Sequence, residues 1–134
     1  MSEKEENVND LYGMRKRIEN EKKRIKNDAG ITPANKKDVL AFLEWCALRG
    51  NKGRPLSIAR VCIYAQRLLL LARLFDKTDF RAATKTDLQG VADSIERRKV
   101  SEASKSFLRV TFKKLFGFLE GVDGCPDKLK WLVS

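Results

Sequence analysis

A stretch near the end of the chain carries basic side chains at the spacing of an α-helix. Between residues 101 and 119, Lys105, Arg109 and Lys113 recur every four residues, and Ser101 precedes them as a candidate N-cap. Apolar residues of the same stretch gather on another side, at about 100° per residue. The stretch therefore predicts an amphipathic helix with one face for a core and one face for anions.

A second stretch repeats this arrangement earlier in the chain. Between residues 57 and 75, Arg60, Tyr64 and Arg67 share one predicted helix face beside an apolar stripe. Tyr64 fits two roles equally well, either as an aromatic on the basic face or as a core aromatic. The two stretches together predict two basic helices on a shared core.

The turn before the second of these helices is also basic. Residues 50–56, GNKGRPL, are rich in turn formers and place Lys52 and Arg54 beside the first helical turn, which Ser57 opens. Positive side chains and unpaired backbone N–H groups at a helix N-terminus together suit a phosphate.

Positive charge is concentrated in these same parts of the chain. The net charge is +10, with five basic and no acidic residues between 49 and 67, and seven basic and one acidic between 97 and 114. A surface that is charged only for solubility would spread this excess evenly. The concentration favours a polyanion-binding face, and the alternative is that the basic residues simply fill solvated helix faces.

The residue types exclude several chemistries. The chain has no histidine, and its three cysteines form no CxxC pair. Within these residues there is thus no histidine base, no histidine metal ligand and no Ser-His-Asp triad, and a structural zinc site is disfavoured. We predict no catalytic residue, no metal and no cofactor, and we interpret Cys46 and Cys62 as small buried hydrophobes.

Length and composition favour one helical domain. A chain of 134 residues with 8 Gly and 3 Pro suits a single globular, helix-rich unit. The longest apolar run, Leu68 to Ala72, is too short to span a bilayer, and the polar N-terminus is not a signal peptide. We therefore expect an all-α cytoplasmic protein without a membrane partner.

Residues 1–30 predict a helical arm. Leu11, Ile18 and Ile25 fall seven residues apart and make a narrow apolar seam. Three roles are open to this arm: packing on the domain, pairing with another copy, or fraying in solution.

Capping signals in the sequence indicate where two further helices begin or end. Thr32, which a proline follows, is a candidate N-cap, although Asn35 could cap instead, and Gly50 ends that helix. Thr84 with Asp87 makes a capping-box variant that opens a shorter helix.

The order of these motifs resembles a known family over about residues 27–132. The helix NKKDVLAFLEW from residue 35 is followed by a Leu-Ser turn that opens a helix with Arg60 and Tyr64 four apart. A Thr-Asp-Leu start at 86–88 comes next, and a last helix led by Ser101 and Ser104 ends in aromatics and leucine. This pattern resembles the N-terminal core-binding domain of tyrosine recombinases of the phage integrase type, particularly the archaeal integrases.

The resemblance implies a fold and a role. It implies a SAM-like four-helix core of two crossed hairpins, here with an extra N-terminal helix, that clamps one face of duplex DNA. A C-terminal catalytic domain would grip the other face and would supply the catalytic residues. The expected organisation is an arm at 1–30, a core-binding domain at 31–121 and a linker toward the catalytic domain at 122–134. Such a chain binds double-stranded DNA without cutting it, and its arm is a candidate for self-association on DNA.

The predicted site combines both basic stretches and the turns beside them. Most of its members would hold phosphates, whereas Arg60, Lys105 and Arg109 are predicted to reach base edges. The predicted DNA-binding set is Lys52, Arg54, Ser57, Arg60, Tyr64, Arg67, Arg97, Arg98, Lys99, Ser101, Lys105, Arg109 and Lys113. The alternatives are a helical protein-interaction module and a stand-alone DNA-binding regulator. An enzyme has least support, because no nucleophile with a base can be identified.

Overall fold

Five α-helices make up most of the chain. The computed structural model describes the backbone of residues 3–133 and the side chains of residues 12–133. The helices are α1 (Glu3–Asn27), α2 (Pro33–Arg49), α3 (Ile58–Phe75), α4 (Lys85–Glu96) and α5 (Glu102–Glu120), with short 3-10 turns at Phe80–Ala82 and Asp127–Leu129. The part of the chain that the structure describes has no β-strand, only an isolated bridge between Asn51 and Arg54. The predicted all-α class, with four helices after an N-terminal one, is confirmed.

The helix starts follow local capping rules. The side chains that cap α2, α3, α4 and α5 accept a hydrogen bond from the backbone N–H three residues later, which satisfies a donor that the helix leaves unpaired. These N-caps are Thr32, Ser57, Thr84 and Ser101. The predicted starts at Thr32 and Ser101, and the capping box at Thr84, are therefore confirmed.

Asn35, the alternative cap, instead holds a distant loop. Its side chain is fully buried, donates to the carbonyl of Thr78 (2.9 Å) and accepts from the backbone N–H of Phe80 (2.7 Å). Buried backbone groups need such partners, because losing one costs on the order of 1–3 kcal/mol. Asn35 thereby fixes the α3–α4 connection and seats Phe80 in the core.

Helix α3 lies at the centre of the packing. It contacts each of the other four helices, while α2 with α3 and α4 with α5 form consecutive helical hairpins. Phe75 of α3 meets three aromatic rings, Phe80, Phe112 and Phe116, at centroid distances of 4.8 to 5.8 Å.

Cys46 and Cys62 are buried as predicted, and burial raises the pKa of the Cys46 thiol to about 11.

The N-terminal helix packs on its own domain. Ile18 and Ile25 of α1 are buried in the common core, and α1 lies along α3. Leu11, the third predicted seam residue, lies outside the described side chains.

At the end of α1, the Asp28 carboxylate accepts a hydrogen bond from Arg73 Nε at 2.7 Å. Burial alone would raise the pKa of Asp28, but the hydrogen bonds from Arg73 and from the Gly30 N–H outweigh it and hold that pKa below its ordinary value.

The C-terminal segment packs back against α5 at a glycine. Gly117 is buried in α5, its carbonyl accepts from the Val122 N–H (3.0 Å), and a Cβ there would collide with the Gly124 carbonyl oxygen. Gly121 ends α5 in the left-handed region (φ 68°), which a glycine adopts without strain. Leu129 and Leu132 then join the core, so the predicted linker packs against the same core as the helices.

We predict opposite effects for the same substitution at two helical glycines. Gly90→Ala in α4 meets open space and should raise the free energy of unfolding by about 0.5–1 kcal/mol, because alanine favours the helix. Gly117→Ala gains the same helix preference but must displace the 122–124 turn, so it should lower that energy by about 1–3 kcal/mol. Urea unfolding of both variants tests this, and equal stabilisation would show that the turn is not pressed against α5.

Candidate nucleic-acid interface

An aromatic pair joins α3 to α5. Tyr64 of α3 is only 4% exposed, and its ring lies 5.6 Å from that of Phe107 in α5. Each ring also faces a cation from the opposite helix: the Arg67 guanidinium lies 5.6 Å from the Phe107 centroid, and the Lys114 ammonium lies 5.1 Å from the Tyr64 centroid. Of the two roles left open for Tyr64, the structure shows the core role.

Lys114 also ties the α2–α3 turn to α5. Its Nζ donates to the carbonyl of Gly50 at 3.2 Å, just before the turn that carries Lys52 and Arg54. Lys52 and Arg54 are exposed, and Gly53 (φ 85°) permits the sharp reversal between them. Lys114 is missing from the sequence-predicted set because it lies off the every-fourth-residue stripe. Its position seven residues after Phe107, on one helix face, is the signal that could have found it.

An open groove of about 990 Å³ lies where α2, the α2–α3 turn, α5 and the turn after α5 meet. Its cations come from both basic parts of the sequence, and its apolar lining comes mainly from α2 and α5. The cations are Arg49, Lys52, Lys113 and Lys114, and the apolar side chains include Trp45, Val110 and Phe118. One carboxylate, Asp123, also lines it. The structure thus brings residues more than sixty positions apart onto one surface.

Arg109 does not face this surface. Its side chain is only 9% exposed, and it forms ion pairs with Glu96 (2.6 Å) and Glu102 (2.9 Å). Hydrogen bonds to Glu96 and to Glu102 raise the pKa of the guanidinium above its ordinary value. The structure thus pairs the Arg109 guanidinium with both carboxylates, whereas the sequence predicted that this side chain reaches base edges.

Lys105, like Arg109, bonds to Glu96 and does not line the groove. Its Nζ donates to the carbonyl of Glu96 at 2.7 Å, in the last turn of α4. Nine residues separate it from Lys114, which places the two about 180° apart around α5. The stripe of Lys105 and Arg109 thus faces α4, and only Lys113 of the predicted stripe lines the groove.

The remaining predicted residues fall into three groups. Arg97 and Lys99 are exposed and Arg98 half-buried in the α4–α5 connection, away from the groove. The hydroxyls of Ser57 and Ser101 accept their capping hydrogen bonds. Arg60 is exposed one helical turn before Tyr64 on α3, and it remains available to a ligand.

Comparisons with protein-family models, with curated proteins and with solved structures give no match. Among the described residues, no helix combines the length and apolar character that crossing a membrane requires. Among the described side chains, those of residues 12–133, no three His, Cys, Asp or Glu cluster in a way that could hold a metal ion.

We predict that Arg109 stabilises the fold and contacts no phosphate. Arg109→Met should lower the urea midpoint, because Glu96 and Glu102 lose their partner, whereas Arg97→Met at an exposed position should leave the midpoint unchanged. If the chain binds duplex DNA, the slope of its affinity against salt should be the same in Arg109→Met as in the unaltered chain. A slope reduced by about 0.9, the value for one lost phosphate contact, would show that Arg109 leaves its carboxylates to bind DNA.

Proposed function

We propose that this chain binds duplex DNA through the side of α3 and α5 that carries the groove. The observation that carries the proposal is the convergence of Arg49 and Lys52 with Lys113 and Lys114 on one exposed groove. Focused positive charge on one face suits the phosphate backbone, which supplies most of the affinity of DNA-binding proteins.

Several cations of this face have no carboxylate partner among the described side chains, which cover residues 12–133. They are Arg49, Lys52, Arg60 and Arg67, whereas Arg109 has two such partners. Arg67 additionally has its Nε buried without a hydrogen-bond acceptor among the described residues, although its guanidinium lies over Phe107. These cations can neutralise phosphates without first giving up an internal carboxylate, and each phosphate neutralised releases counterions from DNA.

The roles divide by position on this face. Lys52 and Arg54 in the turn before α3 are placed to hold phosphates next to the free N–H groups of its first turn. Arg60, on the exposed side of α3, is the remaining candidate for a base edge among the three predicted. We no longer propose base contacts for Lys105 and Arg109, because both side chains donate hydrogen bonds to Glu96.

The resemblance to the core-binding domain of tyrosine recombinases supplies a context for this binding. In it the chain is the DNA-clamping module of a site-specific integrase, and the cutting and rejoining of strands belongs to a separate catalytic domain. The all-α fold with two consecutive hairpins agrees with this proposal. A stand-alone regulator would use the same face and would occupy its site without a catalytic partner.

Binding to a mixed-sequence duplex of about 20 base pairs, measured by fluorescence anisotropy between about 50 and 200 mM salt, tests the proposal. The logarithm of affinity should fall steeply with the logarithm of salt, because phosphate contacts release counterions. Lys52→Gln, Arg54→Gln and Arg60→Gln combined should weaken binding about tenfold or more and reduce the slope by about 2–3.

The matched control removes the same charge elsewhere. Arg15→Gln, Lys16→Gln and Arg17→Gln combined alter three exposed residues of α1, which packs on a different side of α3. This control should lose much less affinity than the first triple variant. A flat salt titration, or equal losses in the two triple variants, would contradict the proposal.

A further inference from the structure

The groove on the proposed DNA-binding face has an apolar lining that phosphates do not explain. Val110 is 39% exposed and Val122 is 46% exposed at its edge, and both line it. Trp45 lines it as well, with its ring against Phe42 (5.9 Å) and Phe118 (5.5 Å). Exposed apolar side chains gathered beside cations are typical of a binding surface rather than of a solvated helix face.

The lining specifies the chemistry of an occupant. Arg49, Lys52 and Lys114 lie around the apolar residues and lack a carboxylate partner in the described part of the chain. A sugar-phosphate backbone would pair with these cations but would leave Val110 and Val122 in water. A ligand with carboxylates on one side and aliphatic side chains on the other would satisfy both parts of the groove.

We infer that the groove binds an acidic amphipathic helix of a partner protein. Such a helix lays its apolar side chains at positions i, i+3, i+4 and i+7 into a hydrophobic groove. Here they would cover Val110, Trp45 and Val122, while its Glu and Asp side chains would pair with Arg49, Lys52 and Lys114. Since Lys52 and Lys114 belong also to the proposed DNA-binding face, the partner and DNA would compete.

The single tryptophan of the groove makes the test direct. The chain has two tryptophans, and Trp131 lies outside the groove, where its indole N–H donates to the Lys128 carbonyl. In Trp131→Phe, emission therefore reports on Trp45 alone. The probe is a designed peptide of about 16 residues without aromatics, with Leu at the four anchor positions, Glu on the two flanks of that stripe and Ala elsewhere to favour the helix. We expect a saturable change in Trp45 emission with this peptide, and much weaker binding of a scrambled peptide of the same composition.

Two valines of similar exposure provide a matched pair of variants. Val110→Glu, in the groove, should weaken peptide binding by about tenfold or more, because it repels the peptide carboxylates and removes an apolar contact. Val100→Glu, at a 41% exposed position outside the groove, should change binding by less than about twofold.

The inference would be overturned by an unchanged Trp45 emission, by equal binding of the scrambled peptide or by equal effects of the two valine variants. A duplex that shifts Trp45 emission where the peptide does not would also overturn it. A change in emission with protein concentration alone would assign the groove to a second copy and would overturn it too. Because the peptide titration contains no nucleic acid, its failure leaves the proposed DNA binding untouched, and failure of DNA binding leaves this inference standing.

Discussion

The contact between Tyr64 and Phe107 is the interaction on which the shape of the basic face depends. It joins α3 to α5 with the ring centroids 5.6 Å apart, and each ring holds a cation that belongs to the other helix. Aromatic pairs and cation–π contacts each contribute roughly 0.5–2 kcal/mol when they are partly desolvated. Because Lys114 also reaches Gly50, this arrangement sets the position of the turn that carries Lys52 relative to α5. The packing of α3 against α5 thus determines where the charged surface lies.

Part of the positive charge of α5 stabilises the fold. Arg109 and Lys105 face the end of α4, where Glu96 accepts from both side chains, and this closes the α4–α5 junction. Lys113 and Lys114 lie on the groove side of α5. Net charge in a sequence window therefore overstates the charge offered to a ligand, because part of it is already paired within the fold.

Features set by neighbouring residues were predictable from the sequence, and features set by distant partners were not. The caps at Thr32, Thr84 and Ser101 follow from hydrogen bonds that span three residues, and the all-α class follows from helical periodicity. The roles of Asn35 and Gly117 depend on Phe80 and on the turn after α5, which no local pattern reveals. The ion pairs of Arg109 show both cases: Glu102 lies seven residues before it on the same helix face, so this pair could be found in the sequence, whereas Glu96 lies in α4 and could not.

The proposed function requires that one face, centred on the α3–α5 contact, meets the DNA. Amide chemical-shift mapping of the 15N-labelled chain with a mixed-sequence duplex locates the contacted residues. We expect shifts at Lys52, Arg67 and Lys114, and none at Ile18 and Ile25, which lie buried where α1 packs on the domain. Shifts confined to α1 or to the α4–α5 connection, with the groove residues unchanged, would contradict it.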